Sequence, residues 1–210
     1  MSAPPTPIRV LAVDDHPLFR DGIAALIAQD PDMILVDQAA NGREAVEKYR
    51  ATRPHVVLLD LQLPDMDGAE VVVTVRREFP EARFLVLSTY GGDIRARRAL
   101  QAGARGYMLK DSPHQEMLES IRAIHGGQMR IQAEIANELA LHSTDPTLTT
   151  REMQVLSLLA NGHSNREIAT ALAVSEETAK GHVRNLLTKL GARDRTQAVM
   201  MAVRRGFVQP

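Results

Sequence analysis

Three aspartates follow apolar runs that are typical of buried parallel strands. Asp14 and Asp15 follow residues 9–13, and Asp60 follows residues 56–59. The carboxyl ends of parallel strands meet at one edge of a sheet, so we expect the three carboxylates to lie close together. Like charges that are brought together out of water repel, and a cation or a phosphoryl group makes the arrangement useful. The pattern therefore predicts a cation site at this edge.

A hydroxyl group and an ammonium group follow two further apolar runs. Ser88 follows residues 83–87, and Lys110 follows residues 106–109. Carboxylates that hold Mg²⁺, a hydroxyl donor and a lysine are the groups that phosphoryl transfer uses. A lone Asp is more often a loop cap, and a lone Ser or Lys is more often a solvated side chain. The combination favours a phosphoryl-transfer site in which Asp60 is the nucleophile.

The first 125 residues alternate five strand-like and five helix-like segments, which indicates an α/β fold with a parallel, doubly wound sheet. We predict strands over residues 9–13, 33–39, 56–59, 83–87 and 106–109. We predict helices over residues 17–28, 42–50, 69–78, 94–101 and 113–125. In such a sheet ligands bind beyond the carboxyl ends of the strands, where the aspartates fall.

A polar segment and an all-helical region follow the α/β part. Gly126 and Gly127 end the last helix of that part, and residues 128–146 contain only one short amphipathic stretch, over residues 131–141. Beyond them, four helix starts are indicated by side chains that cap helices well. These N-caps are Thr149, Ser164, Ser175 and Asp194. We therefore predict a domain over residues 8–127, a linker over 128–146 and a small all-α domain over 147–210.

Composition excludes several classes of protein. The chain has 210 residues and no Cys, so disulfides, thiolate metal sites and cysteine nucleophiles are excluded. The first residues lack the pattern of a signal peptide, and no apolar run reaches the roughly 20 residues that span a bilayer. We therefore expect a cytoplasmic protein that does not enter the membrane. The seven His show no metal-ligand spacing and are assigned to no site.

Charge and helix pattern together indicate a nucleic-acid partner for the C-terminal part. Residues 147–210 contain nine Lys or Arg against five Asp or Glu. A short helix, a tight turn and a helix over residues 175–190 form an arrangement that can place the second helix in the major groove. A polar helix face is usually just solvated, but this context favours DNA binding. The residues expected at DNA are Thr178, Lys180, Gly181, Arg184, Asn185 and Lys189.

Gly181 has two explanations that the sequence leaves open. Glycine inside a helix costs about 1 kcal/mol relative to Ala. Either the backbone must approach DNA closely at this position, or the glycine is tolerated on the surface.

The α/β part resembles the receiver domain of two-component response regulators, a flavodoxin-like fold. The residues that carry the resemblance are Asp14, Asp15, Asp60, Pro64, Gly68, Ser88, Tyr107 and Lys110. The resemblance implies that Asp60 is the phosphoacceptor and that a sensor histidine kinase is the phosphodonor.

The resemblance also implies the roles of the neighbouring groups. Asp15, Asp60 and the backbone carbonyl of Gln62 would bind Mg²⁺ directly, and Asp14 would act through water. Ser88 and Lys110 would hold the phosphoryl oxygens, and Tyr107 would be an aromatic switch. Asp111 follows Lys110 where the family often has Pro, and the sequence leaves open whether the Lys110–Asp111 peptide is cis.

The all-α part is similar to the LuxR-type helix-turn-helix of the NarL/FixJ class. The matching segments are residues 148–152, 164–169 and 189–198. This resemblance implies binding to promoter DNA as a homodimer, with Ala198, Met201 and Ala202 of the last helix at the dimer contact. Ala179 and Gly181 stand where larger apolar residues are more usual.

We thus predict a phosphorylation-gated transcriptional regulator that is not an enzyme. Two alternatives compete with it. One is a DNA-binding protein that ignores phosphorylation. The other is a Mg²⁺-dependent phosphatase with an Asp nucleophile, which usually needs an acid two residues after that nucleophile. Gln62 occupies this position.

Overall fold

A computed structural model of the chain describes residues 6–89 and 91–208. These residues form two compact units, one of residues 6–89 and 96–137, the other of residues 91–95 and 138–208. No helix within the described residues combines the length and the apolar composition that crossing a bilayer would need.

The first part of the chain alternates strands and helices. In chain order these are β1 (Ile8–Val13), α1 (Pro17–Ala28), β2 (Met33–Ala39), α2 (Gly42–Thr52), β3 (Val56–Asp60), α3 (Gly68–Glu78), β4 (Phe84–Ser88), α4 (Asp93–Ala102), β5 (Gly106–Leu109), α5 (His114–His125), β6 (Arg130–Ile131) and α6 (Ala133–Leu141). The strands form one parallel sheet in the order β2-β1-β3-β4-β5-β6. The predicted α/β class and the five predicted strands and helices are confirmed, with end shifts of one or two residues.

The central strands are apolar because both of their faces are covered. Every residue of β3 and of β4 is buried, as expected for a parallel sheet with helices on its two faces. Burial extends to the polar residue that ends each of these strands, Asp60 in β3 and Ser88 in β4. Hydrophobic packing therefore fixes the strand ends at which the polar groups emerge.

A sixth strand departs from the predicted five. Residues of β6 pair with β5 in the register Gly106 with Arg130 and Tyr107 with Ile131. The Arg130 amide donates to the carbonyl of Arg105 at 2.9 Å, and the Gln132 amide donates to that of Tyr107 at 3.1 Å. Two residues are too few for a hydrophobic period, so the sequence shows no strand signal here. The segment 128–146, predicted as a linker, thus contains β6 and α6.

The second part is helical, as predicted. Its helices are α7 (Thr150–Ala160), α8 (Asn165–Ala171), α9 (Glu176–Leu190) and α10 (Arg195–Arg205). All four predicted N-caps are confirmed, because each side chain accepts a backbone N–H of the first turn. Gly191 ends α9 at φ +67°, a left-handed backbone that glycine adopts without strain. The last two residues of the predicted domain lie outside the described residues.

The helices pack around one apolar cluster. Val155, Leu156, Ile168, Ala179 and Leu186 are its most buried members on α7, α8 and α9. This packing buries one face of α9 and leaves the opposite face in solvent. The apolar pattern of α9 therefore decides which of its residues are available to a partner.

Candidate phosphoryl-transfer site and nucleic-acid interface

The strand order brings the predicted acids to one edge of the sheet. The chain runs from β1 to β2 on one side of β1 and then crosses back to β3 on its other side. The strand order therefore reverses between β1 and β3, which lie side by side. Val13 and Leu59 are paired in register. Asp14 follows the first of them and Asp60 follows the second. Both carboxylates are buried, with residue exposures of 1% and 2%.

Lys110 is the cation that joins these two acids. Its Nζ lies 2.6 Å from Asp14 Oδ2 and 2.7 Å from Asp60 Oδ2. The lysine follows β5, and its amide donates to the carbonyl of Ser88 at 2.9 Å. Its ammonium also lies 4.9 Å from the centroid of the Phe19 ring on α1. The buried acids are therefore held by one ammonium whose side chain keeps 12% of its surface exposed.

The loop after β3 is shaped by a close backbone approach. Asp60 Oδ1 accepts the Gln62 amide at 3.1 Å. The Gly68 amide donates to the carbonyl of Leu61 at 2.9 Å. A Cβ at Gly68 would lie 2.5 Å from the carbonyl oxygen of Asp60. Only glycine fits there, which explains the family-like glycine eight residues after the acid.

The pKa values of Asp60 and Lys110 are both raised. A raised pKa disfavours the charged form of the acid but favours the charged form of the lysine. Burial raises the pKa of Asp60, and Lys110 and the Gln62 amide offset this only in part. Burial opposes the charged form of Lys110, but the carboxylates of Asp14 and Asp60 outweigh it and raise the pKa of the ammonium. The lysine is thus firmly cationic, while the charge on Asp60 is costly. A further cation would stabilise the ionised Asp60.

The donor set fits a divalent cation. Asp14, Asp15 and Asp60 offer carboxylate oxygens, and with His16 their ligand atoms all lie within 4.8 Å of one another. Three ionised carboxylates and one ammonium leave a formal charge of about −2, which a divalent ion balances. Asp14 Oδ2 is buried, and no donor among the described residues meets it in hydrogen-bond geometry, although Lys110 is close. Oxygen donors of this kind suit Mg²⁺.

His16 belongs to this cluster, contrary to the sequence-based assignment of no His to a site. Its amide donates to Asp14 Oδ1 at 2.9 Å, and its ring Nδ1 lies 3.1 Å from that same oxygen. The ring nitrogen is also 2.7 Å from Asp15 Oδ1. The sequence signal was adjacency to Asp15 rather than the helical or loop spacing of a metal site.

Ser88 lies on β4, next to the strand that carries Asp60, and Tyr107 lies on β5, one strand further from the acids. Ser88 ends β4, one residue beyond Leu87, which pairs with Asp60. Both Ser88 and Tyr107 are buried, the tyrosine completely. Tyr107 pairs with Val86 on one side and with Ile131 on the other. The two residues are thus at the predicted edge and in the neighbouring strand, respectively.

Gln132 supports the loop that carries Lys110, which sequence reasoning missed. Its side-chain Oε1 accepts the Leu109 amide at 3.0 Å and the Ser112 hydroxyl at 3.3 Å. These donors flank Lys110 and Asp111, whose peptide bond is trans. The β6 segment thereby holds both sides of the lysine loop. No local pattern predicts this contact, because Gln132 lies 23 and 20 residues after Leu109 and Ser112.

The predicted DNA-facing residues divide into an exposed group and one engaged residue. The exposed group consists of Thr178, Lys180, Gly181, Arg184 and Asn185. Lys180 forms an ion pair of 3.2 Å with Glu176, one helical turn earlier. Lys189 is partly buried, and its ammonium lies 2.7 Å from Glu152 on α7.

Gly181 has no packing role inside the domain. A Cβ at this position would meet nothing within 4 Å. Internal packing therefore gives no reason for the glycine, and both of its explanations stay open.

The predicted dimer contact on α10 is wrong for two of its three residues. Ala198 and Ala202 are fully buried in the apolar cluster of the helical domain. Both side chains face α7 and α9, and their small size lets α10 pack closely against these helices. Met201 is half-buried, whereas Met200 keeps 68% of its surface exposed.

Two family models match the chain. The model of the response regulator receiver domain matches residues 10–122, and that of the bacterial regulatory proteins of the luxR family matches residues 146–202. These spans contain the acid site and the exposed face of α9, respectively.

Similar proteins cover nearly the whole chain. An uncharacterized transcriptional regulatory protein, YhcZ of Bacillus subtilis, is 39% identical over 94% of this chain and 96% of its own length. The response regulator protein VraR of Staphylococcus saprophyticus is 36% identical over 97% of this chain and 100% of its own. The crystal structure of the response regulator ChrA from a heme-sensing two-component system is 31% identical, with a TM-score of 0.58, over 96% of this chain and 99% of that one.

The chain therefore belongs to the two-component response regulators of the NarL/FixJ class, which join a receiver domain to a LuxR-type DNA-binding domain. It is a phosphorylation-gated, DNA-binding transcriptional regulator.

Proposed function

We propose that Asp60 accepts a phosphoryl group from a sensor histidine kinase and that the resulting change controls promoter binding. The observation that carries the proposal is Lys110, which spans Asp14 and Asp60 at the open edge of the sheet. The pocket beside it is lined by His16, Leu18 and Phe19, together with Thr89 and Lys110. Leu18 is 86% exposed, so an incoming phosphodonor meets an apolar rim next to the acids.

The transfer balances as a displacement at phosphorus. A carboxylate oxygen of Asp60 forms a bond to phosphorus while the phosphorus–nitrogen bond of the donor phosphohistidine breaks. The leaving imidazole keeps the electron pair, and the product is an acyl phosphate on Asp60. Lys110 and the hydroxyl of Ser88 would hold the phosphoryl oxygens, and Tyr107 would respond as the switch.

Mg²⁺ is the cofactor that we propose for this site. Asp15, Asp60 and the backbone carbonyl of Gln62 would hold the ion, with Asp14 acting through water. When bound, the ion would neutralise charge on the phosphoryl oxygens. Asp15 is suited to an ion that arrives from solvent, since its side chain is 37% exposed.

The side chain at Gln62 favours storage of the phosphoryl group over turnover. A phosphatase of this kind places an acid two residues after its nucleophile, and an amide does not donate a proton as a general acid does. We therefore propose that the chain is not an enzyme on small phosphoesters. We further propose that it acts in the cytoplasm, where kinase and promoter are both accessible.

Asp60→Asn tests the phosphoacceptor. Incubation with a small phosphodonor and Mg²⁺ should phosphorylate the wild-type chain, and the variant should lose at least about 100-fold in rate because the nucleophile is gone. Intact-mass spectrometry measures the product. Asp111→Asn, at an exposed aspartate one residue after Lys110, is the control and should react like wild type. An unchanged rate in Asp60→Asn would refute the proposal.

We propose that α9 is the helix that reads double-stranded promoter DNA. Support comes from its exposed polar face and from its place after α8 and a tight turn, an arrangement that fits the major groove. Lys180 and Arg184 would reach base edges or phosphates. Lys189 would join them only if it left Glu152. We also propose that the receiver domain spans residues 8–127, that residues 128–146 are the linker, and that the DNA-binding domain spans residues 147–210.

A homodimer on DNA is part of the same proposal. Because Ala198 and Ala202 are buried, we place the candidate dimer contact on the exposed side of α10, where Met200 is the largest apolar side chain in solvent. Met200→Glu should weaken cooperative binding to paired half-sites while leaving the helical content unchanged.

Binding assays on promoter fragments at several salt concentrations test the interface. Lys180→Ala and Arg184→Ala should each lower affinity, and a phosphate contact should reduce the salt slope by about 1. Arg77→Ala, at an exposed arginine on α3 outside the helical domain, is the control and should leave the affinity unchanged. Unaltered affinity in both α9 variants would show that another surface binds DNA.

Gly181→Ala separates the two explanations of the helix glycine. The substitution should stabilise α9 by about 1 kcal/mol, since the added Cβ meets open space. A backbone that lies against DNA would make the stabilised variant bind at least about tenfold more weakly. Unchanged affinity would identify a tolerated surface glycine.

A further inference from the structure

Basic side chains stand at the amino ends of five neighbouring strands, at the edge of the sheet opposite the acid pocket. In the order of the sheet they are Arg9 on β1, His55 before β3, Arg83 before β4, Arg105 before β5 and Arg130 on β6. We call these five residues the basic row. Because neighbouring strands lie about 4.8 Å apart, the row is roughly 19 Å long.

The backbone of the sheet fixes the spacing of the basic row. The His55 amide donates to the carbonyl of Arg9 at 2.8 Å. The Arg105 amide donates to the carbonyl of Phe84, at the start of β4, and the Arg130 amide donates to that of Arg105, each at 2.9 Å. The members of the row are therefore held side by side at the distance between strands.

Two arginines of the basic row are oriented by helix ends. Arg9 Nη2 donates to the carbonyl of Thr52, the last residue of α2, at 2.6 Å. The Arg83 guanidinium donates to the carbonyl of His125, the last residue of α5. Both arginines remain partly exposed, and each contact uses only one of the five N–H donors of a guanidinium group. Their charge therefore acts at this edge while they also hold the helix ends.

The arginines of the basic row differ from other arginines of the receiver in lacking acidic partners. Arg43 lies 4.0 Å from Asp65, and Arg98 lies 3.0 Å from Asp67. In the described part of the chain, by contrast, no carboxylate lies within 4.0 Å of the four arginines in the row. Acids are not scarce, since residues 1–146 contain 21 Asp or Glu against 16 Lys or Arg.

Positive charge is concentrated at this edge. The loops that lead into β3, β4, β5 and β6 contain one acid, Glu81. The imidazole rings of His55 and His125 lie 5.0 Å apart, centroid to centroid. Burial lowers the pKa of His55, and repulsion from the charges of His125, Arg9 and Arg83 lowers it further. The edge thus opposes an added proton and attracts an anion.

The length of the basic row favours an extended polyanion. The row ends at β1, because the loop before β2 carries Asp30 and Asp32. Over roughly 19 Å a duplex presents about 11 phosphates, at about one per 1.7 Å of axis, and guanidinium groups match phosphate oxygens well. This chain is a DNA-binding regulator, and DNA that one domain holds reaches the other domain of the same chain at a high effective concentration. Duplex DNA is therefore the polyanion that the row meets most often.

We propose that the basic row binds the phosphate backbone of duplex DNA, so that the receiver adds a sequence-independent contact to the one made by α9. The inference rests on the proposed function, because α9 must hold the DNA. It gives the amino edge of the sheet a role that is separate from the acid pocket at the opposite edge.

The test compares two double variants of the full chain that lose the same charge. Arg105→Gln with Arg130→Gln removes two exposed members of the basic row. Arg43→Gln with Arg98→Gln, the matched control, removes two exposed arginines that contact the loop after β3. Fluorescence anisotropy measures binding to a mixed-sequence duplex of about 60 base pairs, between about 50 and 200 mM NaCl.

The variant of the basic row should lose salt dependence as well as affinity. Each lost phosphate contact lowers the slope of log K against log salt by about 0.9, so the slope should fall by about 2. Affinity at the lowest salt should fall by about 10-fold. The control should keep the wild-type slope. Arg105→Lys with Arg130→Lys keeps both charges and should also keep the slope, which separates charge from a change in folding.

Three results would overturn the proposal. Equal losses in the two Gln double variants would show an effect of net charge alone. An unchanged slope in the variant of the basic row, beside weaker binding by Arg184→Ala, would leave the role of α9 intact and show that the row does not meet DNA, as for a surface that takes an acidic protein. A wild-type chain that does not bind the duplex would refute the DNA-binding role of α9 and the inference with it.

Discussion

The acid pocket and the exposed face of α9 both carry charged side chains, but they are built in different ways. Lys110 is nearly buried and holds acids that lie 50 and 96 residues away in the chain. Lys180 is half-exposed, and its partner Glu176 lies one turn away on the same helix. The pocket depends on how strands are ordered, whereas the helix face depends on local periodicity. The two regions should therefore respond differently to the same kind of change.

Removing each lysine gives the largest expected contrast. Lys110→Ala leaves buried carboxylates without their cation, which should lower the free energy of unfolding by about 3 kcal/mol at neutral pH. Lys180→Ala removes an exposed helix pair and should cost only about 0.3 kcal/mol. Urea unfolding followed by circular dichroism measures both values. Added Mg²⁺ should restore part of the loss in the first variant only, and equal losses would remove the contrast.

Gln132→Ala tests whether β6 supports the lysine loop. The substitution removes the acceptor of the Leu109 amide and the Ser112 hydroxyl, and we expect a cost of about 1–2 kcal/mol. Hydrogen exchange of the Leu109 amide should accelerate. Gln115→Ala, which removes an exposed contact to Glu119 on α5, is the control and should leave that amide unchanged. Protected exchange at Leu109 in both variants would show that the strand alone holds the loop.

Asp60→Asn should reveal the cost of the buried charge. Because burial raises the folded-state pKa of Asp60, its stabilising contribution is complete below the unfolded pKa and is lost as the pH rises through the folded value. The neutral Asn escapes this loss. Without divalent cation the variant should therefore melt about 2–4 °C higher than wild type near pH 7.5. The difference in melting temperature between the variant and the wild type should shrink towards pH 4.

Thermal scans from pH 4 to pH 8 check this sign. Asp111→Asn, at an exposed position, should show no comparable gap at any pH. A gap that widens as the pH falls would mean that Asp60 is stabilised, not penalised, in its ionised form.

The smallest expected effect lies in the turn of the helical domain. Ala173 has φ +52° between α8 and α9, a left-handed backbone that costs an alanine about 1 kcal/mol. Ala173→Gly should relieve this and raise the unfolding free energy by about 0.5 kcal/mol after the entropic cost of glycine. Ala171→Gly, within α8, should instead lower it. Stabilisation by both or by neither would contradict the backbone explanation.

Much of the helical domain could be predicted because its signals are local. Thr149 and Ser164 accept amides three residues ahead, and Gly191 ends α9 with a backbone that few other residues adopt. The α10 contact could not be predicted in this way. The apolar period places Ala198 on a face, but only packing against neighbouring helices decides whether that face is the core or an interface.

The receiver shows the same boundary between local and tertiary information. Apolar runs placed β1, β3, β4 and β5 to within one or two residues, whereas β6 has two residues and no period of its own. It forms because the edge of β5 offers unpaired backbone groups that residues 130–132 satisfy.

By itself the sequence determined the chemical types at the site and the elements that carry them, because strand and helix periods and helix caps are short-range properties. It determined that carboxylates, a hydroxyl and an ammonium group end strands of one parallel sheet. Only the tertiary structure decided that Lys110 bridges Asp14 and Asp60, that His16 turns onto Asp15, and that Gln132 supports the lysine loop. Except for the turn at His16, these contacts join residues far apart in the chain, and the order of the strands and their packing fix the distances.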